Sequence, residues 1–287
     1  VSAAWVISRY TFVGRDVLEW MLLLPAAIPA YIIAYCYTDF FEYAGPLQTA
    51  LRTAFGWQTS RDYYFPEIRS LGGAMLVMAS VLYPYIYMVT RIAFRLTPVS
   101  LFEIALVHKK SQFWHVGLPL ARPAIVAGLA LVMMEVVSDF GTVEYFAVQT
   151  LTLGIFNVWL GMNSLTAASQ IASVAFLFIV ALLIFETIAR ARRRFNDSTR
   201  RATPFPRQTA VGWQVALCWF VCLTPIVIGF LLPMIILAGF VVQGYSLSVD
   251  EAVVIAALNS MLLATSVAFC VMASAAFMGV VATYKGG

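Results

Sequence analysis

Two carboxylates near the middle of the chain have the spacing of a cation-contacting pair. Glu135 and Asp139 lie four residues apart in the run MMEVVSDFGTVEY, so a helix would carry both on one face, about 6 Å apart. Two carboxylates in an apolar run cannot both stay charged and dry, so they must face water, share a proton or meet a cation. Glu144 and Tyr145 follow the flexible FGT segment. The four residues together would form an oxygen-rich mouth of the kind that hard cations prefer.

The same residues also have a structural interpretation. Asp139 could cap the end of a helix, since Asp is among the preferred capping residues. Glu144 could then serve only as a contact for a partner protein. Both interpretations stay open at the level of the sequence.

The other metal-ligand residue types predict no stably bound metal. All four cysteines lie inside apolar runs: Cys36, Cys218, Cys222 and Cys270. Cys218 and Cys222 share a helix face by spacing, but no His or acidic residue joins them, so small packing residues are the better interpretation. His108 and His115 lie in a basic segment without a third ligand, which favours a surface or interface role.

The composition places these residues in a membrane. The 287 residues are 62% hydrophobic and only 11% charged, far outside the soluble range. The apolar runs are continuous and long enough to cross a bilayer as helices, without the alternation of a transmembrane barrel. The predicted spans are 18–38, 70–93, 121–138, 170–189, 212–242 and 252–283. The sequence therefore predicts an all-α, polytopic integral membrane protein with about six spanning helices, with kinks at Pro25 and Pro29 in the first.

The distribution of Lys and Arg predicts the orientation of these helices. Basic residues concentrate in segments 9–15, 91–122 and 190–207, whereas segment 139–169 contains none and segment 39–69 balances its arginines with acids. Because basic loops are retained on the cytoplasmic side, the first three segments are cytoplasmic and the other two lie outside.

A cytoplasmic loop over residues 97–120 is too long and too apolar to be a simple connection. Ser100 and Glu103 have the spacing of a capping box, which predicts a short helix through EIALV. Pro119 and Pro123 in LPLARP then predict a break before the next span. The expected product is a short docking helix outside the membrane.

At these residues the sequence resembles the permease subunits of binding-protein-dependent ABC importers. Their coupling loop carries a Glu-Ala-Ala pattern, then a Gly, and later a Leu-Pro followed by a second Pro. Glu103, Ala105, Leu118, Pro119 and Pro123 match this pattern here, and Gly117, directly before the Leu-Pro, is also expected to belong to the coupling loop. Over most of residues 13–194, blocks such as YTDFFEYAGPLQTALR and DFGTVEYFAVQT are similar to the ferric-iron permeases of that superfamily.

One departure from the family pattern concerns the turn inside the loop. The stretch IALVHKKSQ is shorter than usual and lacks the family's Gly. The turn must therefore be built differently, around Lys109, Lys110 and Ser111. Either the loop docks in a variant geometry, or the chain is a divergent or degraded copy.

The resemblance implies a type I ABC importer permease fold, a helical bundle in the bacterial inner membrane. Residues 1–189 would form a first permease core with the coupling loop at 97–120, residues 190–211 a basic cytoplasmic linker, and residues 212–287 the first helices of a second, incomplete half. The chain would then be a fragment of a longer protein. The linker is expected to lie against lipid headgroups, with no nucleic-acid partner, because no aromatic platform accompanies its charge.

The resemblance also implies a function. The permease would pass ferric iron, delivered by a periplasmic binding protein, through a pathway that includes Glu135, Asp139, Glu144 and Tyr145. The sequence has no G-x-x-x-x-G-K-[ST] motif, so the chain is not expected to be an enzyme or to hold a cofactor, and ATP would be used by a separate ATPase subunit. Leu101, Ile104 and Ala105 would anchor that ATPase.

Other functions remain open beside this one. The partners would also include a second permease half or copy and the lipid bilayer. Thiamine, sulfate or polyamine are alternative substrates, because related permeases share the loop and differ in pathway residues. An ATP-independent channel or carrier is a further alternative, although no inverted repeat with broken helices is visible.

Overall fold

The computed structural model describes residues 1–191, 207–242 and 251–285, and almost all of its regular structure is helical. The helices are α1 Ser2–Arg9, α2 Arg15–Met21, α3 Ala30–Phe41, α4 Pro46–Phe55, α5 Leu71–Leu96, α6 Val99–Val107, α7 Leu118–Ser138, α8 Gly141–Tyr145, α9 Leu151–Phe156, α10 Leu165–Ala191, α11 Trp213–Ile226, α12 Leu232–Val242 and α13 Glu251–Lys285. A 3₁₀ turn covers Leu24–Ala27, and π turns cover Phe113–Gly117, Asn157–Gly161 and Val227–Leu231. The predicted all-α class is confirmed.

Four helical stretches in the described residues are long and apolar enough to cross a membrane, and a bent pair raises the number to five. The four are Leu71–Leu96, Phe113–Ser138, Trp213–Val242 and Glu251–Val281. The 27-residue α10 covers the predicted span 170–189, with a shorter apolar stretch at Leu165–Ala181. The prediction of a polytopic protein with about six spans therefore agrees with the structure.

The first predicted span is broken rather than kinked. The helical stretches Arg15–Ala27 and Ala30–Phe55 meet at 90°. Proline lacks an N–H donor and disfavours helical geometry in the preceding residue, and Ile28, directly before Pro29, is extended at φ −101° and ψ 125°. Two prolines four residues apart therefore turn the chain.

The buried core has two parts, arranged along α5. The part at the predicted cytoplasmic half packs α1 against α5 and α11 against α1, and its fully buried members include Ala4, Ile7, Leu22, Cys222 and Ile226. The part at the predicted outer half packs α3 against α5 and α8 against α3, with Ile33, Ala34, Val77, Val143 and Phe146. Burial of these apolar side chains holds the short helices to the long one.

Helices α5 and α7 approach closely because a small residue lies between them. A Cβ on Gly128 would lie 2.9 Å from the Cα of Ile86 and 2.9 Å from Cγ2 of Val89. Small residues at helix contacts allow such close packing in membrane proteins. Helix α7 is thereby held against α5 near its middle.

A two-residue parallel ladder joins Tyr10–Thr11 (β1) to Gln208–Thr209 (β2), with Tyr10 opposite Gln208. Residues 1–237 form one compact unit and residues 238–287 form another, so the chain after the predicted linker packs initially with the first helices. Residues 192–206 of the predicted linker lie outside the described residues. The proposed division into permease halves is a separate matter and stays a prediction.

Candidate functional site

The outer end of α7 carries both predicted pathway carboxylates. Asp139 follows the last helical residue, and its backbone is extended at φ −69° and ψ 131°. Its carboxylate accepts hydrogen bonds from the N–H of Thr142 at 3.0 Å, the N–H of Val143 at 3.2 Å and the Thr142 hydroxyl at 3.1 Å. Asp139 thus holds the first turn of α8, which is the capping role that the sequence left open.

Glu135 and Asp139 line one cavity of about 230 Å³ at the break between α2 and α3. The remaining lining residues are Ala26, Ile28, Pro29, Ala30, Tyr31, Met78, Val81, Leu82 and Tyr85. None of these lining residues is basic, so Glu135 and Asp139 are the only charged side chains among the residues that line the cavity. The cavity therefore suits a positively charged guest better than an anion.

Tyr31 and Tyr85 are the lining residues that sequence reasoning missed. Tyr31 follows the proline break, and Tyr85 lies in the middle of α5, so they come from two separate apolar runs. Gly141 lets α8 lie against Tyr31, because a Cβ there would be 3.3 Å from the Cβ of Tyr31. No local sequence signal distinguishes these tyrosines from the other aromatic residues of the spans.

The other two predicted mouth residues do not line this cavity. Glu144 is exposed on α8. The Tyr145 ring contacts the Tyr35 ring at a centroid distance of 6.2 Å, and the guanidinium of Arg69 lies 5.1 Å from its centroid. Arg69 in turn pairs with Glu42 at 2.8 Å. The structure therefore ties Tyr145 to the outer loop and leaves the two α7 carboxylates as a pair.

Metal-ligand residue types do not gather elsewhere in the part of the chain that the structure describes. Within those residues no group of three or more His, Cys, Asp or Glu side chains is placed to hold a metal ion. Cys36, Cys218 and Cys222 are buried as small apolar residues, whereas Cys270 is exposed.

At the opposite end of α7, the cytoplasmic loop forms the predicted short helix but starts it differently. Helix α6 begins at Val99 after Pro98, and no side chain caps it, so the Ser100 and Glu103 capping box is wrong. The fixed φ of proline prepares the first turn without a capping hydroxyl. Ser100 consequently lies inside that turn instead of before it.

The turn after α6 replaces glycine with lysine. The N–H of Lys110 bonds the carbonyl of Ala105 at 2.9 Å, and the N–H of Lys109 bonds that of Leu106 at 2.9 Å. These two bonds define a Schellman motif, in which Lys109 takes the left-handed position at φ 51°. The prediction of a turn around Lys109 and Lys110 agrees with this geometry. The loop turns without a Gly because Lys109 takes the left-handed position.

The predicted break at LPLARP is wrong, because the chain has already turned at residues 108–111. A π turn at Phe113–Gly117 runs directly into α7, and the N–H of Leu118 bonds the carbonyl of Phe113. Pro119 lies in the first turn of α7, where its missing donor costs little, and Pro123 is inside the helix. The two prolines shape the start of α7 rather than separating it from α6.

Trp5 of α1 packs against aromatic residues of the 97–120 loop and of α5. Its ring lies 5.2 Å from that of Phe94, 5.8 Å from that of Phe102 and 5.3 Å from that of Phe113. A Cβ on Gly117 would lie 2.6 Å from Cζ3 of Trp5, so only glycine fits there. This contact gives Gly117 a packing role, and sequence reasoning missed Trp5.

The exposed face of the 97–120 loop is apolar, and basic residues lie along its edge. Leu101 is 37% exposed and Ile104 is 54% exposed, while Ala105 is only 5% exposed and packs inward. A groove of about 470 Å³ runs between α6 and the start of α7, lined by Leu101, Ile104, Ala105, His108, Lys110, His115, Val116, Pro119 and Leu120. Glu103 is exposed beside it. Leu101 and Ile104 therefore face outward as anchors would, and Ala105 does not.

Comparison with known proteins assigns the chain to a family. The sequence profile of the binding-protein-dependent transport system inner membrane component matches residues 1–195. The chain belongs to this family and is a multi-pass inner-membrane protein. The predicted family is thereby confirmed.

Several curated permeases are similar to this chain. The Fe(3+)-transport system permease protein FbpB 2 of Haemophilus influenzae is 24% identical over 250 residues, which are 85% of this chain and 44% of that protein. The molybdenum transport system permease protein ModB of Escherichia coli K12 is 24% identical over 200 residues, 66% of this chain and 84% of that protein. The sulfate transport system permease protein CysT of Salmonella typhimurium is 26% identical over 202 residues, 67% and 69% respectively. The chain thus spans under half the length of the iron permease, and these relatives differ in substrate.

Proposed function

We propose that this chain forms part of the membrane pathway of an ATP-driven importer that carries a cation, with ferric iron as the leading substrate. A periplasmic binding protein would deliver the ion to the outer end of α7. A second permease half or a second copy would complete the pathway. A separate cytoplasmic ATPase would supply the energy through the 97–120 loop.

The observation that carries the proposal is the pairing of Glu135 and Asp139 on a cavity whose lining has no basic residue. A sulfate or molybdate ion in this cavity would meet two carboxylates without a compensating charge. Like charges at short range repel, whereas a cation is attracted by the same carboxylates. The lining therefore favours the cationic alternatives over sulfate, and over the molybdate of other relatives.

Among cations, the donor types favour a hard metal ion. The cavity combines two carboxylates with the phenols of Tyr31 and Tyr85, and it includes Met78 as its only sulfur. Carboxylate and phenolate oxygens are ligands of hard cations such as ferric iron. Thiamine and polyamines are cations as well, but their bulk or length fits a 230 Å³ space less well than a single ion.

The coupling part of the proposal rests on the exposed apolar face of α6. Leu101 and Ile104 border a groove on the cytoplasmic side, where an isolated apolar face is unfavourable unless a partner covers it. A channel or carrier would have no need of such a surface. This feature supports the ATPase-driven class over the ATP-independent alternative.

The test is uptake in cells that also express the ATPase and binding protein. Glu135→Gln combined with Asp139→Asn should abolish most ferric-iron uptake, while Glu67→Gln on the outer loop serves as the matched neutralisation. Membrane abundance of each variant is measured in parallel. Uptake of sulfate or molybdate instead of iron by the unaltered chain would contradict the cation assignment, as would full iron uptake by the double variant.

A further inference from the structure

Glu19 on α2 gathers arginines from two helices at the cytoplasmic side. Its carboxylate lies 2.8 Å from Nη2 of Arg15 and 2.9 Å from Nη2 of Arg95, and it also pairs with Arg91. The Tyr87 hydroxyl donates to the Glu19 carbonyl at 3.2 Å. The short helix α2 is thereby fixed to the last turns of α5.

The group carries more positive than negative charge. Asp16, which is 87% exposed, pairs with Arg15, and Arg207 lies within electrostatic range of these residues. Desolvation, followed by the charges of Arg15 and Arg95, lowers the pKa of Arg207 below its usual range. Four arginines thus share the two carboxylates of Asp16 and Glu19. We call Arg15, Arg91, Arg95 and Arg207 the arginine cluster.

Two members of the arginine cluster face outward. The side chain of Arg95 is 40% exposed, and Arg207 is exposed as well. Arg15 and Arg91 are 5% and 20% exposed and lie behind them. The excess charge is therefore presented at the surface, where an anion can reach it.

An exposed apolar face adjoins this charge. Val17 and Trp20, three residues apart on α2, are 62% and 74% exposed, and Val13, which precedes the helix next to Gly14, is 87% exposed. The opposite side of α2 carries Leu18, which is 1% exposed. Apolar residues with a Trp at the boundary of a membrane are typical of a helix that lies in the lipid interface. We call these three residues the apolar face of α2.

We propose that the arginine cluster binds the headgroup phosphate of an anionic phospholipid in the cytoplasmic leaflet, with the acyl chains against the apolar face of α2. Guanidinium groups hold phosphate oxygens through paired, charge-assisted hydrogen bonds. The adjoining apolar face favours a lipid over a soluble phosphate, because only a lipid covers both surfaces together. The site is independent of the transported substrate.

A lipid titration of the purified full chain in detergent tests the proposal. The thermal unfolding midpoint is followed against the mole fraction of phosphatidylglycerol and, separately, of phosphatidylcholine, and bound lipid is counted by native mass spectrometry. Phosphatidylglycerol should raise the midpoint at a lower mole fraction. Arg207→Gln should increase the amount needed by about fivefold, and adding Arg95→Gln should increase it by about twentyfold or more.

Arg61→Gln on the outer loop is the matched control, since it removes one exposed charge on the other side of the membrane. It should leave the titration unchanged. Each variant is compared with itself in two lipids, so a change in intrinsic stability cannot imitate the effect. Equal responses to both lipids, or an unchanged titration of the double variant, would overturn the site. Equal stabilisation by sodium phosphate alone would overturn the lipid assignment.

Discussion

The side chains at the two ends of α7 differ in charge. At each end their charge has the same sign as the partial charge of the helix dipole. The C-terminal, outer end carries Glu135 and Asp139 on a cavity without a basic lining residue. The N-terminal, cytoplasmic end adjoins a groove rimmed by His108, Lys110 and His115. A helix has partial negative charge at its C-terminus and partial positive charge at its N-terminus, so side chains and backbone add at both ends. The proposed pathway site and the proposed docking site thus lie at ends of one helix that carry opposite charge.

The largest expected effect is on iron uptake, and two substitutions of Asp139 at the outer end of α7 distinguish the role of its charge from its role as a cap. Asp139→Asn keeps a good capping residue but removes the charge, so iron uptake should fall about tenfold or more with little change in stability. Asp139→Ala should lower uptake equally and also cost about 1 kcal/mol of folding free energy. Uptake and thermal unfolding of both variants make the comparison. Normal uptake by the Asn variant would reduce Asp139 to a structural cap.

The next effect concerns the docking face at the inner end. Ile104→Asp places a charge on the groove of α6 and should weaken association with the ATPase subunit about tenfold. Leu106→Asp is the matched control, because Leu106 is 53% exposed on the same helix but does not line the groove. Association is measured by co-purification and by ATPase stimulation. Equal behaviour of the two variants would mean that the groove is not the docking surface.

A smaller effect is expected where α1 supports the inner end. Gly117→Ala puts a Cβ against Trp5, whose ring is held by three other aromatic rings, and should destabilise the chain by about 1–3 kcal/mol. Gly154→Ala adds a Cβ where nothing lies within 4 Å, so it should not destabilise the helix. Thermal unfolding of both variants tests whether the Trp5–Gly117 contact stabilises the chain. If the two alanines behave alike, Trp5 does not position the loop.

The smallest effect comes from the turn that closes α6. Lys109→Gly removes the cost of a side chain in the left-handed region and should stabilise the loop by about 0.5–1 kcal/mol. Lys110→Gly, one residue later and outside that region, should bring no gain. Hydrogen exchange of the loop amides measures the change. A loss of protection in the Lys109 variant would contradict the Schellman geometry.

The comparison of the two ends also indicates how far sequence reasoning reaches. The outward face of Leu101 and Ile104 followed from their spacing on a short apolar helix, and the turn at Lys109 followed from the missing Gly. The predicted start of α6 and the predicted role of Pro119 were wrong, because both depend on how the chain closes the preceding turn. Local patterns locate an element better than they locate its ends.

At the outer end the limits are of another kind. The four-residue spacing correctly placed Glu135 and Asp139 on one surface, since helix periodicity is local. It could not place Glu144 and Tyr145, because their positions depend on α8 and on the Arg69 contact from a distant loop. It also could not find Tyr31 and Tyr85, which reach the cavity from separate helices.

The sequence by itself determined that this protein is an all-α membrane protein and which family it belongs to, and it predicts how the loops are oriented. Those properties follow from hydrophobic length, charge distribution and short motifs, all of which act locally. Only the tertiary structure decided which tyrosines join the two carboxylates at one cavity, which face of α6 is exposed and how arginines of α2 and α5 gather around Glu19. Such properties depend on contacts between residues far apart in the chain, and their packing geometry is not contained in any single segment.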